Sequence, residues 1–299
     1  MAREIRIAAA QYPIEWLDGM SQWRAKFSRW VEQAVAERAQ LLIFPEYGSM
    51  ELASLFGKEI AGSLQGSIAA MNDVLQEVDA AHRDAATKHG VHIVAASFPV
   101  RGADGKFRNV ARIFAANGKM GAQEKLMMTR FERDPWHIAA GGPAQVFDTS
   151  LGRIGISICY DVEFPLIARA QAEAGAKIIL APSCTETLAG YWRVRFGGQA
   201  RALENQCYVI HSPTVGAAPW SPALEANRGA AGIYCPPDAG FPETGIAALG
   251  ELDKPEWLIE TIDLDRVDAV RQNGGVLNFR HWPEQGGHAV PPAPVVSLL

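Results

Sequence analysis

The residue in this 299-residue chain best placed to do chemistry is Cys159, in the run G-R-I-G-I-S-I-C-Y-D-V-E-F-P at 152–165. Ile154, Ile156 and Ile158 alternate with Gly155 and Ser157, which predicts a buried strand packed on one face and nearly bare on the other. Pro165 suits the first turn of a helix and disfavours helical geometry at Phe164, and Leu166, Ile167 and Ala170 follow at helical spacing up to a stop at Gly175. Cys159 therefore falls on a sharp strand-to-helix turn, which pushes a side chain out at the carboxyl edge of a sheet beside free backbone N–H groups. The helix start is expected to lower the thiol pKa toward a reactive thiolate. The structural alternative is a free cysteine acting as a small buried hydrophobe.

Two more reactive side chains stand at predicted strand ends: Glu46 in Phe44-Pro45-Glu46 and Lys125 in Gln123-Glu124-Lys125. Ligands of open α/β sheets bind at the carboxyl ends of strands, so a carboxylate, an ammonium and a thiol on three such edges can meet in one crevice.

The elements that must position them alternate. Strands are predicted at residues 5–10, 41–44, 91–96, 177–181, 207–212, 246–250 and 257–262. Helices are predicted from a Ser21 cap with Trp23, Phe27, Trp30, Val31, Ala34 and Val35 on one face, at 71–89 before Gly90, at about 191–206, and at 264–271. Turn signals at 102–105 and 117–118 flank a strand at 109–116 in an edge hairpin, and a long loop rich in charge and aromatics runs on to Trp136 and His137. Trp192, Phe196, Ala200 and Leu203 read as the buried face of the 191–206 helix, with Gly197-Gly198 tolerable only under very close packing. The pattern predicts an α/β fold with one domain over residues 1–281, followed by an extended Pro/Gly-containing tail at 282–299.

A net charge of −5 with no block of like charge gives no footprint for nucleic acid or an anionic membrane, which leaves small molecules as the expected ligands. Residues 205–224 lack Asp, Glu, Lys and Arg yet hold Asn205, Gln206, His211 and three prolines, so a membrane span is not expected. Cysteines 159, 184, 207 and 235 form no C-x-x-C and there is no apolar leader after Met1, which suggests reduced thiols in the cytoplasm. No H-E-x-x-H, other metal-ligand spacing or phosphate-binding glycine loop occurs, so no metal is expected.

With these residues in place the chain resembles the nitrilase, or carbon–nitrogen hydrolase, superfamily across residues 5–278. The resemblance rests on F-P-E at 44–46, E-K-L-M-M-T-R-F-E at 124–132, G-I-S-I-C-Y-D-V-E-F-P at 155–165 and A-R-A-L-E-N-Q-C-Y-V at 200–209. It implies a four-layer α-β-β-α sandwich, assembly as a homodimer or higher oligomer, and cofactor-free hydrolysis of a non-peptide C–N bond in a small-molecule amide. Carried across, Cys159 is the nucleophile, Glu46 the general base and proton shuttle, and Lys125 the cation facing the oxyanion. Glu132 is the candidate for the second glutamate that positions the substrate amide. Tyr47, Trp136, Tyr191 and Trp192 are candidate pocket aromatics, Tyr160 is expected to offer its backbone N–H to the oxyanion, and Asp161 is expected to order the turn. Cys184, Cys207 and Cys235 read as packing residues.

Nitrile-cleaving members of the family usually follow the nucleophile with Trp-Glu, whereas this chain has Tyr160-Asp161, as amide-cleaving members do. Carbamoyl-amino-acid hydrolases place arginines just beyond, where this chain has Val162-Glu163. Amide cleavage is thus favoured over nitrile or carbamoyl chemistry, and a neutral or amine-bearing substrate over an anionic one. A catalytically silent binding protein on the same scaffold is the alternative of another class.

Overall fold

The computed structural model describes residues 3–286. The first half of the chain runs β1 (Glu4–Pro13), α1 (Met20–Ala36), β2 (Leu41–Ile43), a 3-10 segment (Gly48–Phe56), α2 (Gly57–Ala61), α3 (Leu64–His89), β3 (His92–Val94), β4 (Phe98–Arg101), β5 (Phe107–Phe114), β6 (Met120–Glu124) and α4 (Arg130–Arg133). The second half runs β7 (Val146–Thr149), β8 (Gly152–Ile156), a 3-10 segment (Cys159–Glu163), α5 (Pro165–Glu173), β9 (Ile178–Ser183), α6 (Leu188–Asn205), β10 (Tyr208–Ala217), β11 (Ala226–Asn227), β12 (Gly232–Tyr234), β13 (Ile246–Leu249), β14 (Glu256–Asp263), α7 (Leu264–Asn273), α8 (Asn278–His281) and a 3-10 turn (Trp282–Gln285).

β1 joins the halves. Its first eight residues pair antiparallel with β14, and Ile7 to Ala9 pair parallel with β2. Its last two, Tyr12 and Pro13, pair with Thr214 and Val215 of β10. One sheet extends from β1 through β2, β3 and β5, with β4 and β6 also on β5; the other runs β7-β8-β9-β10-β12-β13. Alternation along β1 sets the layers. Ala8, Ala10 and Tyr12 face the helical layer of α1 and α3, while Ile5, Ile7 and Ala9 join the core that holds Ile154, Ile156, Leu180 and Ile210 of the second sheet and, beyond it, Ala168 of α5 and Val194 of α6. The result is the expected α-β-β-α sandwich.

The bare face of β8 has a definite occupant. A Cβ on Gly155 would come within 2.7 Å of the Gln171 amide, which accepts from Ser157 Oγ at 2.9 Å and donates to the Ile156 carbonyl at 2.9 Å. Gly155 and Ser157 thus admit a polar clamp from α5 rather than hydrophobic packing.

Four expectations need correction. Gly19, not Ser21, stands at the N-cap of α1. α3 starts seven residues earlier than predicted, capped by Ser63. The buried face of α6 is Tyr191, Val194, Gly198, Ala202 and Asn205, whereas Trp192, Phe196 and Leu203 are exposed by 41%, 61% and 42%. The reason is the glycine pair: Cβ atoms on Gly197 and Gly198 would lie 3.1 Å from the Val162 carbonyl and 3.0 Å from the Tyr234 ring, so the helix docks on its thinnest side. Finally, Trp282–Gln285 forms a 3-10 turn against Arg169, whose guanidinium lies 4.8 Å from the Trp282 ring centre; the rest of the predicted tail, 287–299, lies outside the described residues. Residues 208–217 of the uncharged stretch form a core strand, and no helix among the described residues is long and apolar enough to cross a membrane.

Candidate active site

Glu46 follows β2, Lys125 follows β6 and Cys159 follows β8 by three residues, so three strand ends deliver the three groups to one place. Lys125 Nζ donates to Glu46 Oε1 at 2.7 Å and to Glu132 Oε2 at 2.7 Å. Glu46 Oε2 accepts the Cys184 backbone N–H at 2.9 Å. The Cys159 sulfur points at the Cys184 carbonyl, 3.9 Å away, and lies close enough to Glu46 and Lys125 for both charges to act on it. The Glu46, Lys125, Glu132 and Cys159 side chains are at least 95% buried, in the wall of a cavity of about 610 Å³.

Backbone conformation at the site is costly. Tyr47 and Cys159 both take left-handed φ values, +52° and +49°, a region that disfavours side chains with a Cβ and marks positions held by their surroundings. For Cys159 the holder is Asp161. Its Oδ1 accepts the Leu126 and Met127 N–H groups at 3.1 and 2.7 Å, and its Oδ2 accepts the Ile158 N–H at 3.1 Å. One carboxylate thereby fastens the turn bearing Cys159 to the backbone just after Lys125. Burial pushes the Asp161 pKa up to about 7 against the pull of Lys125 and these donors.

The electrostatics separate the two glutamates. Burial raises the Glu46 pKa, Lys125 opposes this, and the neighbouring Glu132 adds to the rise. Burial acts on Glu132 the same way, but Lys125 and the backbone and hydroxyl donors of Thr129, at 3.0 Å each, bring it below the ordinary glutamate value. Tyr47 Oη donates to its other oxygen at 3.0 Å. Burial pulls the Lys125 pKa down, yet Glu132 and Glu46 hold it well above the usual lysine value. The two environments thus push the paired pKa values apart, Glu46 upward and Glu132 downward.

The expected lowering of the thiol pKa is not found. Burial and the Glu46 charge raise the Cys159 pKa well above the ordinary thiol value, with Lys125 opposing. α5 starts six residues after the cysteine, with a 3-10 segment in between, and the effect of a helix terminus fades within its first turn. Both effects favour the protonated thiol, with the Glu46 carboxyl group beside it.

Tyr47, Trp136 and Tyr160 line the cavity, as expected; the Tyr47 and Trp136 rings pack with centroids 4.8 Å apart. Tyr191 and Trp192 do not. Tyr191 is buried against His211 of β10, and Trp192 faces outward. Cys184, expected only to pack, presents its N–H to Glu46 and lines the cavity. Asn109 of β5 was not anticipated: its Nδ2 donates to Glu46 Oε1 at 2.9 Å. The one signal for it is a polar residue at a position where the F-R-N-V-A-R-I-F strand turns inward.

A doubled-sheet sandwich flanked by helices, with a polar cavity at its strand ends, is the architecture of the nitrilase superfamily. The family model described as "Carbon-nitrogen hydrolase" matches residues 6–272, and the chain belongs to that family. It is 36% identical over 276 residues to "Probable hydrolase YhcX" of Bacillus subtilis (strain 168), covering 92% of this chain and 53% of that protein, so the chain spans about half the length of that relative. It is 31% identical over 195 residues to "Deaminated glutathione amidase" of Synechocystis sp. (strain PCC 6803 / GT-S), covering 61% of this chain and 67% of that one. Among solved structures, a carbon-nitrogen hydrolase from Helicobacter pylori G27 superposes with a TM-score of 0.74 at 20% identity over 91% of this chain and 93% of that chain. A mutant of the amidase from Nesterenkonia sp. AN1, described as showing the result of Michael addition of acrylamide at its active site cysteine, gives 0.64 at 20% identity over 90% and 97%.

Proposed function

We propose that the chain hydrolyses a small amide through a thioester on Cys159. The observation that carries this reading is the position of Glu46, held by the Lys125 ammonium and the Cys184 N–H beside the Cys159 thiol. Sγ bonds to the carbonyl carbon while its proton passes to Glu46. The oxyanion is stabilised by Lys125 Nζ and the Tyr160 N–H, at the start of the 3-10 segment, where N–H groups have no partner within the helix. Collapse of the intermediate breaks the C–N bond, and Glu46 returns the proton to the leaving nitrogen, releasing ammonia. Glu46 then deprotonates a water that attacks the thioester, and the carboxylic acid leaves with the thiol restored. Glu132 keeps Lys125 charged and, with its oxygens committed to Tyr47, Thr129 and Lys125, serves as a fixed anion rather than a second base.

The cavity walls favour a neutral or amine-bearing amide. Beyond the catalytic group they carry Glu163, Glu186 and Glu225 against Arg130 and Arg193. Glu163 is the least exposed of the three carboxylates, and Arg193 is 3.7 Å from it with its side chain 62% exposed, so its charge is largely screened. In an ammonia-release screen over amides, nitriles and carbamoyl compounds of matched length, ω-amino and neutral amides should be cleaved at least about tenfold faster than ω-carboxy amides, an unfavourable charge contact of about 1.4 kcal/mol. Preference for the anionic amides would overturn the assignment of substrate class, and nitrile turnover without amide turnover would overturn the reaction.

We propose in addition that the chain forms a homodimer and works in a reducing compartment. The exposed Trp192, Phe196 and Leu203 of α6 support the first and four unpaired cysteines the second. Sedimentation at micromolar concentration should give twice the chain mass of 32.4 kDa, and a monomer at that concentration would rule the dimer out.

A further inference from the structure

Asn109 sits on β5, fully buried, and never reaches the cavity surface. Its Nδ2 donates to Glu46 Oε1 at 2.9 Å and extends to Glu132 Oε1 at 3.4 Å, so it bridges from a second direction the same two carboxylates that Lys125 Nζ bridges. Its own carbonyl accepts the Lys125 N–H at 2.8 Å, which ties the strand carrying the amide to the residue carrying the ammonium. The amide has one workable orientation: turned over, Oδ1 would confront two carboxylate oxygens. In the orientation adopted, Oδ1 is buried without a hydrogen-bond partner among the described residues. A buried acceptor left unpaired is an exception that calls for a cause. Here the cause is that the donor end is needed on the two glutamates.

Two carboxylates and one ammonium leave an excess negative charge among side chains that are almost fully buried. The titratable groups facing Glu46 are Lys125, Glu132, Cys159, Cys184 and Tyr47. A second lysine in place of Asn109 would cancel the excess but would hold Glu46 so firmly ionised that it could not accept the thiol proton. A leucine would leave both carboxylates short of a donor. An amide donates without charge and without a proton to lose.

We propose that Asn109 is a positioning residue of the reaction: its amide fixes Glu46 and Glu132 relative to each other and tunes the proton affinity of Glu46 so that the carboxylate is ionised when the thiol must be deprotonated. This rests on the reading of Glu46 as the proton carrier.

The test is the rate of acrylamide addition to Cys159, followed by peptide mass spectrometry over pH 5 to 9 in the full-length chain, for the wild type, Asn109→Leu and Asn109→Ala. Without the donor, Glu46 holds its proton to higher pH, so the acid limb of the addition rate should move up by about one pH unit in both variants and the rate on that limb should fall about tenfold. Circular dichroism verifies the fold; should the leucine variant fail to fold, the smaller alanine variant decides. A wild-type acid limb that stays in place in the folded variants, with or without a uniform loss of rate, would overturn the proposal for Asn109 alone. No acid limb in the wild type, or no adduct on Cys159, would instead overturn the reading of Glu46 on which it rests.

Discussion

Cys159→Ala is expected to lower ammonia release from any amide the wild type cleaves by roughly 10⁴-fold or more, the scale of loss when a covalent nucleophile is removed. The stability cost should be small. The sulfur's hydrogen bond to the Cys184 carbonyl is long, 3.9 Å, and alanine meets the same left-handed backbone that cysteine does. Removing one buried sulfur costs on the order of 1 kcal/mol, read as a few degrees in melting temperature. The variant must also fail to form an acyl adduct with a slow substrate in mass spectrometry. Ammonia at an undiminished rate would remove Cys159 from the reaction. The loss should not be repaired by raising the pH, because no other thiol stands where the substrate carbonyl would lie: Cys184 shares the cavity, but burial pushes its pKa to about 12 and its proton is directed at Asn227.

That the pivotal cysteine could be read from the chain, while its ionisation was misjudged, has a physical reason. Position follows from local covalent pattern. Alternating isoleucines end at 158, and Pro165 breaks the run, so a turn between them is fixed by near neighbours. The pKa follows from what the rest of the molecule brings to that turn, chiefly burial and the Glu46 carboxylate 113 residues earlier in the sequence. Glu46 and Lys125 were legible for the same reason as Cys159, since each ends a strand whose direction the pattern gives. Asn109 was not, because a residue inside a strand gains its partners only when the sheet is assembled, with β6 paired to β5 and the end of β2 brought near from beyond β3. Tyr191 and Trp192 were misplaced because aromatic type does not say which side of a helix faces a cavity; the Gly197-Gly198 contact with Val162 and Tyr234 turns α6 so that neither ring enters it. The 3-10 segment Gly48–Phe56 escaped for a related reason: seven of its residues are buried, so no polar face breaks the run into a readable period.

Lys125→Met should do double damage, and the two effects are separable by pH. Loss of the ammonium removes a donor to the oxyanion, worth about 10²–10³ in rate. It also leaves Glu46 and Glu132 facing each other in a buried space, without the cation that bridges them at 2.7 Å to each. Breaking a buried pair by removing one partner costs about 3–5 kcal/mol, because the remaining charge is uncompensated. That penalty depends on the charge being present. Without Lys125 both glutamates should have folded-state pKa values above those of the unfolded chain, so the native variant binds more protons than the unfolded one between the two values and its stability falls as pH rises through that window. In the wild type the lysine pKa is held well above its ordinary value, so its contribution is fully present across neutral pH and is lost only in strong alkali. The difference in urea midpoint between wild type and variant should therefore be smallest near pH 5 and grow toward pH 7. An equal deficit at both values would mean that the methionine costs stability through packing alone and that the glutamates share their charge with some group other than Lys125.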